Sequence, residues 1–148
     1  MEELRTISID SITIPEDHLR VQSISEKAVT KLADSIREAG LMVRIIVRPV
    51  SGGGYELVDG ERRLTAYRSL REAEGSRWNE IPAIVEKMTR SEAVRRMVAI
   101  NENRQDLTPF EKAKGYKLAW ETGHFKSIRD LAAVVGKSHS SVVRSINI

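Results

Sequence analysis

"YELVDGERRLTAYRSL", Tyr55 to Leu70, passes from a strand-like run into a helical pattern through Asp59-Gly60. A glycine at such a junction permits a tight turn and close backbone approach. The helix that follows begins with unpaired N–H groups and a partial positive charge. Arg62 and Arg63 stand in that first turn, where cations are electrostatically disfavoured. Two readings explain them. An anion is the ligand, and the planar donor fork of arginine suits phosphate. Alternatively, Asp59 and Glu61 neutralise the pair in a salt-bridged cluster. The residues of this stretch leave both open.

Upstream, "RIIVRPV" and "YELV" are β-branched runs separated by "SGGG", which predicts a hairpin. A glycine-rich loop can also cradle phosphate, but this one precedes a strand rather than a helix, which favours the turn. "LRTISI" (Leu4–Ile9) alternates like a strand, and "IPAIVEK" predicts another. "SEKAVTKLADSIREAG" predicts a helix capped by Ser25 and stopped by Gly40, with Val29, Leu32, Ala33 and Ile36 inward. "SEAVRRMVAINENR" predicts a further helix with Val94, Met97 and Val98 inward. Asn101 continues that stripe, and Arg104 lies three residues on. An Asn and an Arg ending an apolar stripe point to a site or a buried network, with a helix-capping Asn as the alternative.

At "DLTPFEKA" the chain changes character. Thr108, Pro109 and Glu111 spell a capping box with proline at the first helical position. From Pro109 to Ile148 there are seven Lys/Arg against three Asp/Glu, and the rest of the chain has 17 against 18. The basic excess therefore lies in the last segment, as expected of an anionic partner there or of a solvated basic face. The domain boundary is expected near Asp106, giving an α/β domain over 1–105 and a helical domain over 106–148.

"SIRDLAAVVGKSHSSVVRSINI" predicts two short helices joined by a tight turn. Ser127 caps the first, whose inward face is Ile128, Leu131, Ala132 and Val135, and Gly136 ends it. Ser138 caps the second, with Val142 and Ile146 inward. That is the pattern of a helix-turn-helix, whose second helix enters the major groove by its N-terminal end. The candidate DNA contacts are His139, Ser140, Ser141 and Arg144, with Lys137 and Ser138 suited to phosphate. An ordinary helical hairpin is the competing reading.

The 148 residues contain no cysteine, which excludes disulfides, thiolate catalysis and cysteine-ligated zinc within this stretch. His18, His124 and His139 are scattered and predict no metal site. "MEELRTISID" has neither the basic start nor the apolar run of a signal peptide, and no stretch is long enough to span a membrane. A cytoplasmic protein with no membrane partner is the expectation.

The ordered set "LADSIREAGL", "IIVRP", "YELVDGERRLTAY", "IPAIV", "NENRQDLTPFEKA" and "IRDLAAVVGKSHSSVVRSI" resembles the N-terminal region of ParB-type chromosome and plasmid partition proteins. The resemblance runs over nearly the whole chain. Its most specific parts are GERR followed by Ala66, and the ENxxR-type box leading into "DLTPFE". It implies an α+β fold shared by ParB and sulfiredoxin, a small mixed sheet with helices, followed by an all-helical helix-turn-helix domain. It implies CTP and Mg²⁺ as cofactors. Gly60, Glu61, Arg62, Arg63, Asn101 and Arg104 would hold the nucleotide, Asn101 and Glu102 the metal, and "GLMVRIIVR" the cytosine side. Two positions depart from the family pattern. Arg44 replaces the usual Pro, and Ile100 replaces the usual Glu in the register that matches Asn101 and Arg104; a second register matches Glu102 and Asn103 but puts the Arg out of step.

The implied partners are centromere-like double-stranded DNA, a ParA-type ATPase and a second copy of the protein, on the nucleoid or a plasmid. Slow CTP hydrolysis is an activity the resemblance allows. The sulfiredoxin reaction needs a cysteine that is lacking here. A nucleotide-dependent nuclease or kinase of the same fold, using Glu61, is the competing class. Family members continue beyond a helix-turn-helix, so a C-terminal truncation is expected.

Overall fold

A computed structural model describes residues 2–15 and 25–147; His18 lies outside them. The described residues form two compact units, one of residues 2–15 and 25–88, the other of residues 89–147.

The first unit is built on a five-stranded mixed sheet. Its strands are β1 (Glu2–Ser8), β2 (Ile12–Thr13), β3 (Ile45–Pro49), β4 (Tyr55–Asp59) and β5 (Glu80–Glu86), in the order β1-β5-β3-β4-β2. The expected hairpin is present: β3 and β4 pair antiparallel, with Val47 opposite Leu57 and Arg48 opposite Glu56. β5 inserts between β1 and β3, antiparallel to the first and parallel to the second. Two helices complete the unit, α1 (Glu26–Ala39) and α2 (Glu61–Glu74).

Strand alternation sends Ile45, Val47, Leu57, Ile81 and Ala83 into one core, all fully buried. They meet Val29, Ala33 and Ile36 of α1 and Leu64, Tyr67 and Leu70 of α2. Ser25 caps α1 by accepting from the Ala28 amide, and Gly40 ends it at φ 81°. Leu32, expected inward, is half-buried at the margin of this core. Tyr67 and Trp78 meet edge to face with centroids 5.4 Å apart, a favoured aromatic geometry.

The second unit holds α3 (Arg90–Glu102), α4 (Pro109–Glu121), α5 (Ile128–Val135) and α6 (His139–Ile146). Its core joins Val94 and Val98 of α3 to Tyr116, Ala119, Phe125, Leu131, Ala132, Val135 and Val142. Thr108, Pro109 and Glu111 form the expected capping box, and Thr89 and Glu92 form a second one at the start of α3. The change in charge falls near Asp106, whereas the compact units divide one helix earlier, between Met88 and Thr89. The reason is the apolar stripe of α3, which is covered by α4 and α5.

Candidate nucleotide and nucleic-acid sites

Gly60 sits at φ 110°, ψ 33° and precedes α2 without any side-chain cap. A β-carbon there would lie 2.6 Å from Cγ2 of Ile45. Glycine is therefore required twice, for its φ and for the close approach to β3. The other five helices each begin with a serine or threonine whose hydroxyl accepts a first-turn amide. The start of α2 differs from them in having no side-chain cap.

The four residues of the GERR box diverge from this point. Glu61 is only 9% exposed, Arg62 faces outward, and Arg63 is partly buried. The Arg63 guanidinium donates to the Val43 carbonyl at 3.1 Å, to the Arg44 carbonyl at 2.6 Å and to Asp59 at 3.0 Å. Asp59 thus neutralises Arg63, as the salt-bridge reading required, and two backbone carbonyls complete its fork. Arg44 in turn donates to the carbonyls of Arg5 and Ala83. Together these contacts fix the segment entering β3, leaving Met42 and Val43 strongly exposed beside it.

Asn101 is 9% exposed on the inward side of α3. Arg104 does not continue that helical face. The helix stops at Glu102, where Asn103 folds its carboxamide onto the Ala99 carbonyl at 3.0 Å. Arg104 then makes a two-pronged pair with Asp106, at 3.1 and 2.8 Å.

Glu102 accepts from the Tyr116 hydroxyl at 2.5 Å and lies 3.8 Å from the Lys137 ammonium. Burial first, and this carboxylate second, push the Tyr116 hydroxyl far above its usual range. Glu102 is thus committed to the helical core. No group of three His, Asp or Glu side chains suited to a metal occurs among the described residues. One carboxamide and one engaged carboxylate do not make a magnesium site by themselves, so Asn101 and Glu102 do not fit that role alone.

The last two helices have the connection expected of a helix-turn-helix. Gly136 adopts φ 70°, ψ 30°, and the Gly136 and Lys137 amides both donate to the Ala132 carbonyl. Val142 is fully buried beneath α6. Lys137, Ser138, Ser140 and Arg144 are exposed, while His139 and Ser141 are half-buried. Ser138 spends its hydroxyl on the Ser141 amide, 3.2 Å away. The first-turn amides left over are those of His139 and Ser140.

The candidate residues therefore fall into three groups: Gly60–Arg63 at the start of α2, Asn101–Arg104 at the end of α3, and Lys137–Arg144 along α6. Sequence reading missed Tyr116, which fixes Glu102 from 14 residues away with no local signal. It also missed Arg44 as a strand-end clamp.

An α+β module followed by a unit of four helices is the class these features define. The family model of the ParB N-terminal domain matches residues 1–104, and the chain belongs to that family. It is 40% identical over 124 residues to the chromosome-partitioning protein Spo0J of Thermus thermophilus, covering 84% of this chain and 43% of that protein. The C-terminally truncated ParB of Caulobacter crescentus complexed with CTP-gamma-S is 28% identical, with a TM-score of 0.58, over 97% of this chain and 77% of that one. The same protein complexed to the centromeric parS site is 26% identical, with a TM-score of 0.62, over 96% of this chain and 70% of that one. The chain spans about half the length of the curated relatives it matches.

Proposed function

We propose that this chain is a DNA-binding partition protein that recognises a centromere-like duplex through α6 and responds to CTP through the start of α2. The observation that carries the DNA half is the exposed N-terminal face of α6, with Ser140 and Arg144 outward above a buried Val142. Family membership supports it, and so does the relative solved on parS DNA. In this reading Ser140 and Arg144 meet base edges, with His139 and Ser141 beside them, and Lys137, Ser138 and the first amides of α6 meet phosphates.

The nucleotide half is supported by the uncapped start of α2 and by the relative solved with CTP-gamma-S. Gly60, Glu61 and Arg62 would face the triphosphate by their amides and by the Arg62 side chain. Arg63 would hold the entering segment of β3. Bound CTP supplies a dense negative charge that the positive end of α2 and the arginines stabilise. Mg²⁺, in this reading, would arrive with the nucleotide rather than at a site built by the protein alone. A ParA-type ATPase, self-association and a nucleoid or plasmid location complete the proposal. No helix among the described residues is long and apolar enough to cross a membrane.

Calorimetric titration with each of the four NTPs and Mg²⁺, with and without duplex DNA, tests both halves. Selective binding of CTP, with free CTP turned over slowly at most, is expected. Rapid turnover of nucleotide, or nicking of plasmid DNA, supports the competing enzyme reading instead.

A further inference from the structure

Glu102 has a position that neither nucleotide binding nor base recognition explains. Its side chain is 11% exposed, whereas that of Lys137 is 50% exposed. The carboxylate is held from within by the Tyr116 hydroxyl, on a ring buried in the helical core. It cannot swing away without stranding that hydroxyl. A fixed negative charge therefore stands beside the turn between α5 and α6. The backbone of that turn is fixed too, since the Lys137 amide is bonded to Ala132. Only the lysine side chain is free to choose between the carboxylate and a partner outside.

The separation of 3.8 Å is that of a loose ion pair. Such pairs on half-exposed lysines are weak, so an arriving phosphate can compete for the ammonium. Resting on the DNA-binding reading above, we propose that Glu102 is a positioning residue that sets the strength of the Lys137–phosphate contact. It keeps the ammonium at the turn and offsets part of its charge. Sequence-independent affinity is thereby held below what the basic turn alone would give, and the fraction of binding due to base contacts rises. The end of α3, flanked by Asn101 and Arg104, reaches the DNA-facing turn through this one side chain.

The test is the affinity of the whole chain for a random-sequence 24-base-pair duplex, followed by fluorescence anisotropy over a range of salt. Glu102→Gln keeps an acceptor for Tyr116 and removes the charge. It should tighten binding about two- to fivefold at low salt, the span of exposed ion pairs, and steepen the salt dependence. In a Lys137→Gln background the same change should do little. The double variant Glu102→Leu with Tyr116→Phe removes both polar partners together. It should reproduce the tightening, and it guards against misfolding of the single variant. If the parent chain binds but Glu102→Gln leaves affinity unchanged or weaker, or tightens equally without Lys137, the inference is overturned and the DNA-binding reading stands. If the parent chain does not bind the duplex at all, the DNA-binding reading falls and this inference with it.

Discussion

Arg95 and Asp130 meet at 2.8 Å, tying the middle of α3 to the first turn of α5. Asp130 also accepts from the Lys126 amide, and the Arg95 guanidinium lies over the Phe125 ring, 5.4 Å from its centroid. Arg95 above all, helped by the Lys126 amide against the opposing effect of burial, holds the Asp130 carboxyl below its usual range. A carboxylate depressed in the folded state stabilises the fold above its unfolded pKa, near ~3.9. That contribution is lost as pH falls through the folded value. Asp130→Asn should therefore lower the melting temperature at pH 7. The gap from the parent should close as pH drops below about 4. Thermal melts across that range check it, and a gap that persists in acid would show the ion pair to be incidental.

Gly60→Ala combines a left-handed backbone with a clash against Ile45. The expected cost is about 3 kcal/mol, from the left-handed penalty and from overpacking. Chemical denaturation measures it. A loss under ~1 kcal/mol would mean that β3 gives way more easily than a packed core does.

Arg62 and Arg63 should separate in their effects. Arg63→Ala leaves two carbonyls and Asp59 without their donor, and should cost roughly 1–3 kcal/mol of stability as well as CTP affinity. Arg62→Ala, on the exposed side, should weaken CTP binding with a change in stability within about 0.5 kcal/mol. Calorimetry and denaturation on the same samples resolve the two. Equal stability losses would contradict the division of labour drawn from Arg63's contacts.

Local features of the fold were legible because each depends on a few neighbouring residues. Ser25, Thr108, Ser127 and Ser138 all cap the helices they were expected to cap. "SGGG" turns the predicted hairpin, and Gly136 closes α5. What escaped was set by partners distant in sequence. Nothing within "IPAIVEK" says that β5 lies between β1 and β3. The two-residue strand Ile12–Thr13 exists only because it pairs with β4. Helix α3 reads like its predecessors in charge, yet its apolar face belongs with α4 and α5. The site showed the same split: the glycine and arginines of GERR could be found by eye, but the acceptors of Arg63 and the hold of Tyr116 on Glu102 could not.

Selection from a pool of randomised duplexes tests recognition by α6. The parent chain and the Arg144→Ala and Ser140→Ala variants are carried through in parallel at fixed salt. The parent should enrich a defined motif, and each variant should lose discrimination at one position by roughly 1–3 kcal/mol. Its affinity for unselected DNA should stay close to that of the parent. Failure of the parent to enrich any motif, or identical motifs from all three proteins, would contradict the account.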